Sequence, residues 1–456
     1  MAERGTSKVE VKVFAEKLFA AGREVGFDAM EAYVASRNLF RVGVFKSEID
    51  SYTLAQSRGL SFRGLINGRM GYSFTENLSE DSVALLVDDA RANAAVIDSE
   101  DPEEIFGGSP EATYADVCSF SPALEQVLAA EKIAWVKEVE QQAYGLDVRV
   151  STVQVSLGNS SGETMLMNTK GLNLAHQGNF ADGYVAAVVK EGEDTKSAYA
   201  FFSSRDFSRF DPVTLSKEAV DEAISLLGAE SIESGQYPVL LRHDVAGEFL
   251  ATFASSFSAE AVQKGLSLLK DKQGEQIMSS NVTIIDDPHL PERPNSAPFD
   301  AEGVATASKE VVAAGRLMTL LHNLKTAKKD GVNSTGNAYK MAFNAPVTVA
   351  PTNLYIQPGK RDYADLVAHI EHGLIIIAVQ GTHSGANPVS GDFSLSAYGY
   401  LVQGGQVVRP VNQVTIAGNF FKMLSDVQEV GNDLHFKMGS IAAPSLLIGS
   451  LAVSGK

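Results

Sequence analysis

Apolar and polar positions along this chain change their period several times, and each change marks an element. Val9, Val13, Phe14, Leu18 and Ala21 recur at helical spacing, which predicts a helix with one buried face over residues 9–25. Short alternating segments at 29–36, 39–47, 51–55, 60–66 and 69–74 read as strands, punctuated by Gly59 and by the hairpin signal Asn67-Gly68. A helix follows over 79–97, with Ser79 as its cap, and then an acidic connector at 98–115 that carries Pro102, Gly107, Gly108 and Pro110. The same order then recurs. A helix over 121–145 leads to strands at 148–156, 163–169, 172–189 and 197–203 and to a second helix over 211–227. Internal duplication of two similar halves, about 1–98 and 116–232, accounts for this, and a repeated unit without common ancestry would give the same pattern.

From Tyr237 the pattern differs. A short strand at 239–241 precedes a helix over 243–257, in which Val245, Phe249, Phe253 and Phe257 share one face. A proline-dense arm at 288–300, a hairpin centred on Gly315, a short helix starting at 320 and strands at 352–357 and 374–379 come next. The apolar run at 374–379 breaks at Gly381-Thr382-His383-Ser384-Gly385, and further glycines follow at Gly391, Gly399, Gly404 and Gly405. Glycine weakens a strand unless φ is positive or another backbone approaches closely, so this loop is suited to admit an extended chain. The expected architecture is α+β: an N-terminal domain over 1–232, built of antiparallel sheet and helices, and a β-rich C-terminal domain over 233–456 with glycine-rich cleft loops.

At 456 residues the chain is too long for one core, and 45% hydrophobic with 21% charged residues is the balance of a soluble globular protein. The net charge of −18 excludes nucleic acid as an expected partner, because phosphate attraction needs clustered cations. No run approaches the ~20 apolar residues of a membrane span, the N-terminus is amphipathic rather than signal-like, and Cys118 has no second cysteine to pair with. A cytoplasmic location is expected. The stretch Gly331 to Gly336 lacks the Gly-Lys-Ser/Thr ending of a phosphate loop, which removes nucleotide binding.

Several stretches together resemble the TldD/PmbA family, once named modulators of DNA gyrase and regarded as a two-subunit cytosolic metallopeptidase system. They are His322-Asn323-Leu324-Lys325-Thr326-Ala327, Ser334-Thr335-Gly336-Asn337-Ala338, Gly381-Thr382-His383-Ser384-Gly385 with Gly391-Asp392-Phe393-Ser394, Ile416-Ala417-Gly418-Asn419 and Pro444-Ser445-Leu446. The resemblance implies a catalytic subunit with His-Glu-x-x-x-His on a helix, a distant cysteine as third zinc ligand and the glutamate as general base. Here the corresponding residues are His243-Asp244-Val245-Ala246-Gly247-Glu248, and no cysteine occurs after Cys118. A hydrolytic zinc needs three protein ligands, an open position and a base in reach of the bound water. The chain therefore resembles the PmbA/TldE branch, which lacks the metal site. No catalytic residue, metal or cofactor is expected in this chain, and zinc is expected in a catalytic TldD-like partner. The partner set is that paralogue, in a heterodimer or higher heteromer, or a second copy in a homodimer, together with an unfolded peptide.

The degenerate trio His243, Asp244 and Glu248 reads either as a residual oxygen-rich divalent site or as a polar helix N-terminus whose Asp244 complements the dipole. His369-x-x-His372 has no third ligand near it, and Cys118 has no basic neighbour in sequence to activate it. His322, Asn323, Thr335, Gly336 and Asn337, with Gly381, Thr382, His383, Ser384 and Gly385, are candidates for contacts with a peptide backbone; loop hydrogen bonding is the other reading.

Overall fold

The computed structural model describes residues 8–97, 101, 103–109, 112–437 and 439–456, and part of the connector expected at 98–115 falls outside them. The N-terminal elements are α1 (Lys8–Glu24), β1 (Ala29–Phe45), β2 (Glu48–Ile66), β3 (Arg69–Thr75), α2 (Glu80–Val96), α3 (Pro122–Gln126), α4 (Ala129–Leu146), β4 (Val150–Asn168), β5 (Asn173–Glu191), β6 (Asp194–Ser204) and α5 (Pro212–Ser225). The six strands make one antiparallel sheet in the order β3-β2-β1-β4-β5-β6. Two three-stranded halves thus meet where β1 pairs with β4, Ala35 opposite Thr164. All helices of this region that pack on the sheet use one face. On β1, Met30, Ala32 and Val34 pack with α1 and α2, and Phe40, Val42 and Val44, of the same parity, pack with α4 and α5.

The strands are longer than the sequence pattern indicates. The strands expected at 29–36 and 39–47 merge into β1, and those at 148–156 and 163–169 into β4, because Arg37, Asn38 and the run Gly158 to Gly162 continue the ladder. These polar stretches read as breaks because the face they present borders an open cleft and needs no apolar side chains. The helix expected over 121–145 is two. Val127 and Leu128 adopt extended backbone angles, and Glu131 reaches back to the Leu128 N–H to open α4.

The second part of the chain runs β7 (Gly235–Leu241), α6 (His243–Phe253), α7 (Ala259–Gln263), β8 (Ile284–Asp286), β9 (Lys309–Ala313), β10 (Arg316–Leu317), α8 (Leu324–Asp330), β11 (Ala338–Tyr339), β12 (Thr348–Val349), β13 (Leu354–Ile356), α9 (Tyr363–Ala368), β14 (His372–Gln380), α10 (Thr382–Gly385), β15 (Asp392–Gln403), β16 (Gln406–Asn419), α11 (Phe420–Ser425), β17 (Val427–Val430), β18 (Ile441–Ala442) and β19 (Leu446–Ser454). A sheet ordered β16-β15-β14-β7-β19-β17 closes into a barrel through an added β16–β19 pairing. One face of its strands, including Val239, Leu241, Leu374, Ile376, Leu395 and Ile416, forms a common core with Val245, Phe249 and Phe253 of α6. Phe249 meets Phe393 and Phe253 stacks on Phe420, with ring centroids 4.8 and 4.5 Å apart. β7 and β14 are the parallel pair of this sheet, so the segments that leave them, α6 and α10, start from the same end. No helix of the described residues is long and apolar enough to cross a membrane.

The two parts are joined by a buried ion cluster. Arg63 on β2 donates Nε to Glu31 on β1 at 2.7 Å and Nη1 to Glu302 at 3.1 Å, and Glu302 also accepts the Leu324 N–H that opens α8. Beside it, Gly59 lets the Phe343 ring lie against β2, where a Cβ would come within 2.2 Å of that ring.

Candidate functional site

β7 ends at Leu241, and the next residue, Arg242, donates its backbone N–H to Ile376 on β14. The chain then turns into α6, which starts with His243 and Asp244. The Asp244 carboxylate is already saturated. Arg242 donates Nε to Oδ1 at 2.8 Å and Nη2 to Oδ2 at 2.6 Å, and Lys437 donates Nζ to Oδ2 at 2.8 Å. Burial opposes the charge on Asp244, but the hydrogen bonds and charge of Arg242, reinforced by Lys437, hold its carboxyl well below the usual carboxylate range. Arg242 is fixed in turn by Glu222 of α5 and by the Ile377 carbonyl. The N-terminal part thereby contributes to the barrel end.

His243 is anchored from both sides. Its backbone N–H donates to Ser445 Oγ at 3.0 Å, and its Nδ1 lies 3.2 Å from Asp433 Oδ2. Asp433 also accepts the Ser445 hydroxyl and N–H, at 2.7 and 2.9 Å. Burial works against ionised Asp433, yet these bonds bring its carboxyl down to about 2. The His435 ring stands 5.1 Å from that of His243, and burial, helped by the charges of His243 and Lys437, pushes it down to about 4. Glu248 lies one turn further along α6, where the Thr382 hydroxyl reaches its Oε1 at 3.4 Å, and burial pushes the Glu248 carboxyl up.

The residues at this helix end do not fit a zinc ion. A metal needs free lone pairs converging on one point, and both Asp244 oxygens are engaged by cations whose charge would oppose a divalent ion. Among the described residues no group of three or more His, Cys, Asp or Glu side chains is placed to hold a metal. Cys118 is exposed and lies in the N-terminal part, and His369 is exposed with its Nδ1 at the Asp365 carbonyl.

The two sets of candidate peptide-contacting residues stand in different places. Gly381, Thr382, His383, Ser384 and Gly385, expected as a loop, form one helical turn because the Gly381 carbonyl accepts the Ser384 and Gly385 N–H groups. This turn adjoins α6. Gly336 and Asn337 instead line a cleft of about 680 Å³ between the helix-free face of the N-terminal sheet and the segments 294–306, 336–343 and 350–352. Their neighbours hold the loop in shape. Thr335 Oγ1 accepts the His322 N–H at 2.7 Å and donates to Asn337 Oδ1 at 2.8 Å, Asn337 donates to Asp286, and Asn323 caps α8 through the Thr326 N–H. His322 is buried, which pushes its imidazole down.

The sequence reading missed Arg242, Lys437 and Asp433, and had Ser445 only as part of the stretch Pro444-Ser445-Leu446. Arg242 is two residues from Asp244 and offered a local signal; Lys437 lies 193 positions away and offered none.

The sequence matches the PmbA/TldA metallopeptidase domain 1 over residues 30–94, the central domain over 122–227 and the C-terminal domain over 234–455. A solved structure from Thermotoga maritima, of a protein named for modulation of DNA gyrase, superimposes with TM-score 0.91 at 32% identity over 97% of this chain and 100% of that one. TldE of Thermococcus kodakarensis shares the fold with TM-score 0.87 at 22% identity, over 97% of this chain and 100% of that one. A metalloprotease PmbA homolog of Haemophilus influenzae is 26% identical over 419 residues, 90% of this chain and 88% of its own length. A six-stranded sheet with helices on one face, joined to a closed barrel, is thus a metallopeptidase-family architecture. The chain belongs to the PmbA/TldD family.

Proposed function

We propose that this chain is the subunit of a two-subunit metallopeptidase that lacks the metal site, and that it helps to form the cleft in which an unfolded peptide lies extended while a TldD-like partner supplies zinc and base. The observation that carries this reading is the occupation of Asp244. At the place where the family pattern has its glutamate base, the shorter carboxylate is clamped by Arg242 and Lys437 and cannot take a proton from water. The cleft supports the peptide role. Its walls combine small residues, among them Ser36, Ser160, Gly162 and Gly178, with aromatic rings, leaving room for main-chain contacts. Mixing tests it: the purified chain should not cleave an unstructured peptide, the chain with its catalytic paralogue should, and cleavage by the chain alone would overturn the reading.

A second reading, a peptide-binding homo-oligomer without protease activity, is favoured by one observation. β2 pairs with β3 only from Leu60 onward, so residues 48–59 form a sheet edge that no strand of the described residues covers, and Ile49, Tyr52 and Leu54 are exposed on it. A size measurement on the chain co-expressed with its paralogue separates the two, since only the second predicts that it stays with its own kind.

A further inference from the structure

The lining of the 680 Å³ cleft carries as many cations as carboxylates, although the molecule as a whole is strongly acidic. The chain has a net charge of −18, yet the charged residues on the cleft lining are Arg37, Lys340, Glu163 and Asp300. The two acids are spent. Glu163 is ion-paired with Lys8, and Asp300, fully buried, accepts the N–H groups of Glu302, Val304 and Ala338 at 2.9, 3.0 and 3.0 Å. The two cations are not. Neither Arg37 nor Lys340 has a carboxylate within ion-pair distance among the described residues. Lys340 is half-buried, with its Nζ 2.6 Å from the Ser61 hydroxyl and 4.7 Å from the centre of the Tyr33 ring. Burial and the nearby Arg63 guanidinium push its ammonium down to about 8, against the pull of Glu31. Glu31 offsets this only in part: its Oε1 accepts from Arg63, and neither its unpartnered Oε2 nor Glu302 comes within ion-pair distance of Lys340. A half-buried ammonium held over a ring, with no carboxylate in direct contact, at the wall of an open cleft can take an anion as its partner.

We propose that Lys340 is a carboxylate-binding residue of the cleft, which anchors a carboxylate of the peptide lying there, with Arg37 as the second cation of the same wall. This rests on the peptide-cleft reading above and adds to it the chemistry of the ligand. The carboxylate has two sources, a free C-terminus or an Asp or Glu side chain. The Ser61 hydroxyl and the Tyr33 face fix the ammonium in place, so less freedom is lost when a carboxylate arrives.

The test uses short unstructured Ala/Ser peptides with an N-terminal fluorophore, followed by anisotropy with the purified full chain. One peptide ends in a free carboxylate, one in an amide, and one in an amide with an internal Glu. A charge-assisted bond to one carboxylate predicts that the amide peptide binds about tenfold or more weaker than the acid. Recovery by the Glu peptide assigns the site to side-chain carboxylates, and no recovery assigns it to chain termini. In Lys340→Met the three peptides should bind alike, as weakly as the amide. Equal binding of acid, amide and Glu peptides to the unaltered chain overturns the carboxylate site while leaving the cleft reading intact. Binding of none overturns both.

Discussion

Lys437 places its ammonium 2.8 Å from Asp244 Oδ2, closing the second side of a carboxylate whose first side is held by Arg242. The two cations are not equivalent. Arg242 also engages Glu222 and the Ile377 carbonyl, so it is the node of the cluster. Arg242→Met leaves Asp244 and Glu222 without their main partner and should lower stability by about 3–5 kcal/mol, as for a broken buried pair. Lys437→Met leaves Arg242 in place and should cost only about 1 kcal/mol. Urea unfolding of both variants checks this, and equal losses would show that Arg242 is not the node.

The same cluster sets the acid response. His435 is held down to about 4 from an ordinary 6.5, so the unfolded chain binds the extra proton between these values. Its contribution is complete above about 6.5 and is lost as pH falls toward 4, and solvent screening at this exposed ring keeps it small. Asp433, held at about 2 against 3.8, contributes stability that is present above about 3.8 and lost as pH falls through 2. The raised carboxyls of Glu218 and Glu248 run the other way, so the His435 share is read by difference. Stability against pH for His435→Gln and Asp433→Asn should show flatter slopes in the upper and lower window respectively; unchanged slopes would remove these assignments.

The Arg63 cluster joins the two parts of the molecule and is a separate test. Arg63→Met strands Glu31 and Glu302, which are almost fully buried, and should destabilise by about 3–5 kcal/mol. Pairing it with Glu31→Gln removes one of the stranded charges and should recover part of that loss. A double-mutant cycle by thermal or urea unfolding measures the coupling, and additive losses would show that the two residues act independently.

Gly71 on β3 lies under α2, where a Cβ would stand 1.9 Å from the Ala90 carbonyl oxygen. Because the obstacle is helix backbone, Gly71→Ala must push α2 off the sheet and should cost about 1–3 kcal/mol or more. Its melting temperature should fall clearly below that of Gly68→Ala, whose added methyl meets nothing and whose loss comes from backbone angle alone.

How much of this was legible in the sequence follows from the range of each interaction. The amphipathic face Val245, Phe249, Phe253 and Phe257 was readable because burial on one face imprints a local period, and the strand at 374–379 because burial on both faces leaves a continuous apolar run. The continuity of β1 and β4 through Arg37, Asn38 and Gly158 to Gly162 was not, since the polar cleft face erases that period where the strand goes on. Closure of the barrel by β16 with β19 left no local mark either. At the candidate site, the altered residues Asp244 and Glu248 stood out against the family pattern. What occupies them was not legible, because Lys437 at Asp244 and Asp433 at the neighbouring His243 are brought to α6 only by the fold.

On the proposed function, the cations Arg242 and Lys437 close the α6 end to a hydrolytic metal. The most direct measurement is the zinc content of the purified chain after incubation with excess zinc and gel filtration, read by elemental analysis for the unaltered protein and Asp244→Ala. Zinc well below one equivalent is expected in both. One equivalent in the unaltered chain, lost in Asp244→Ala, would contradict it.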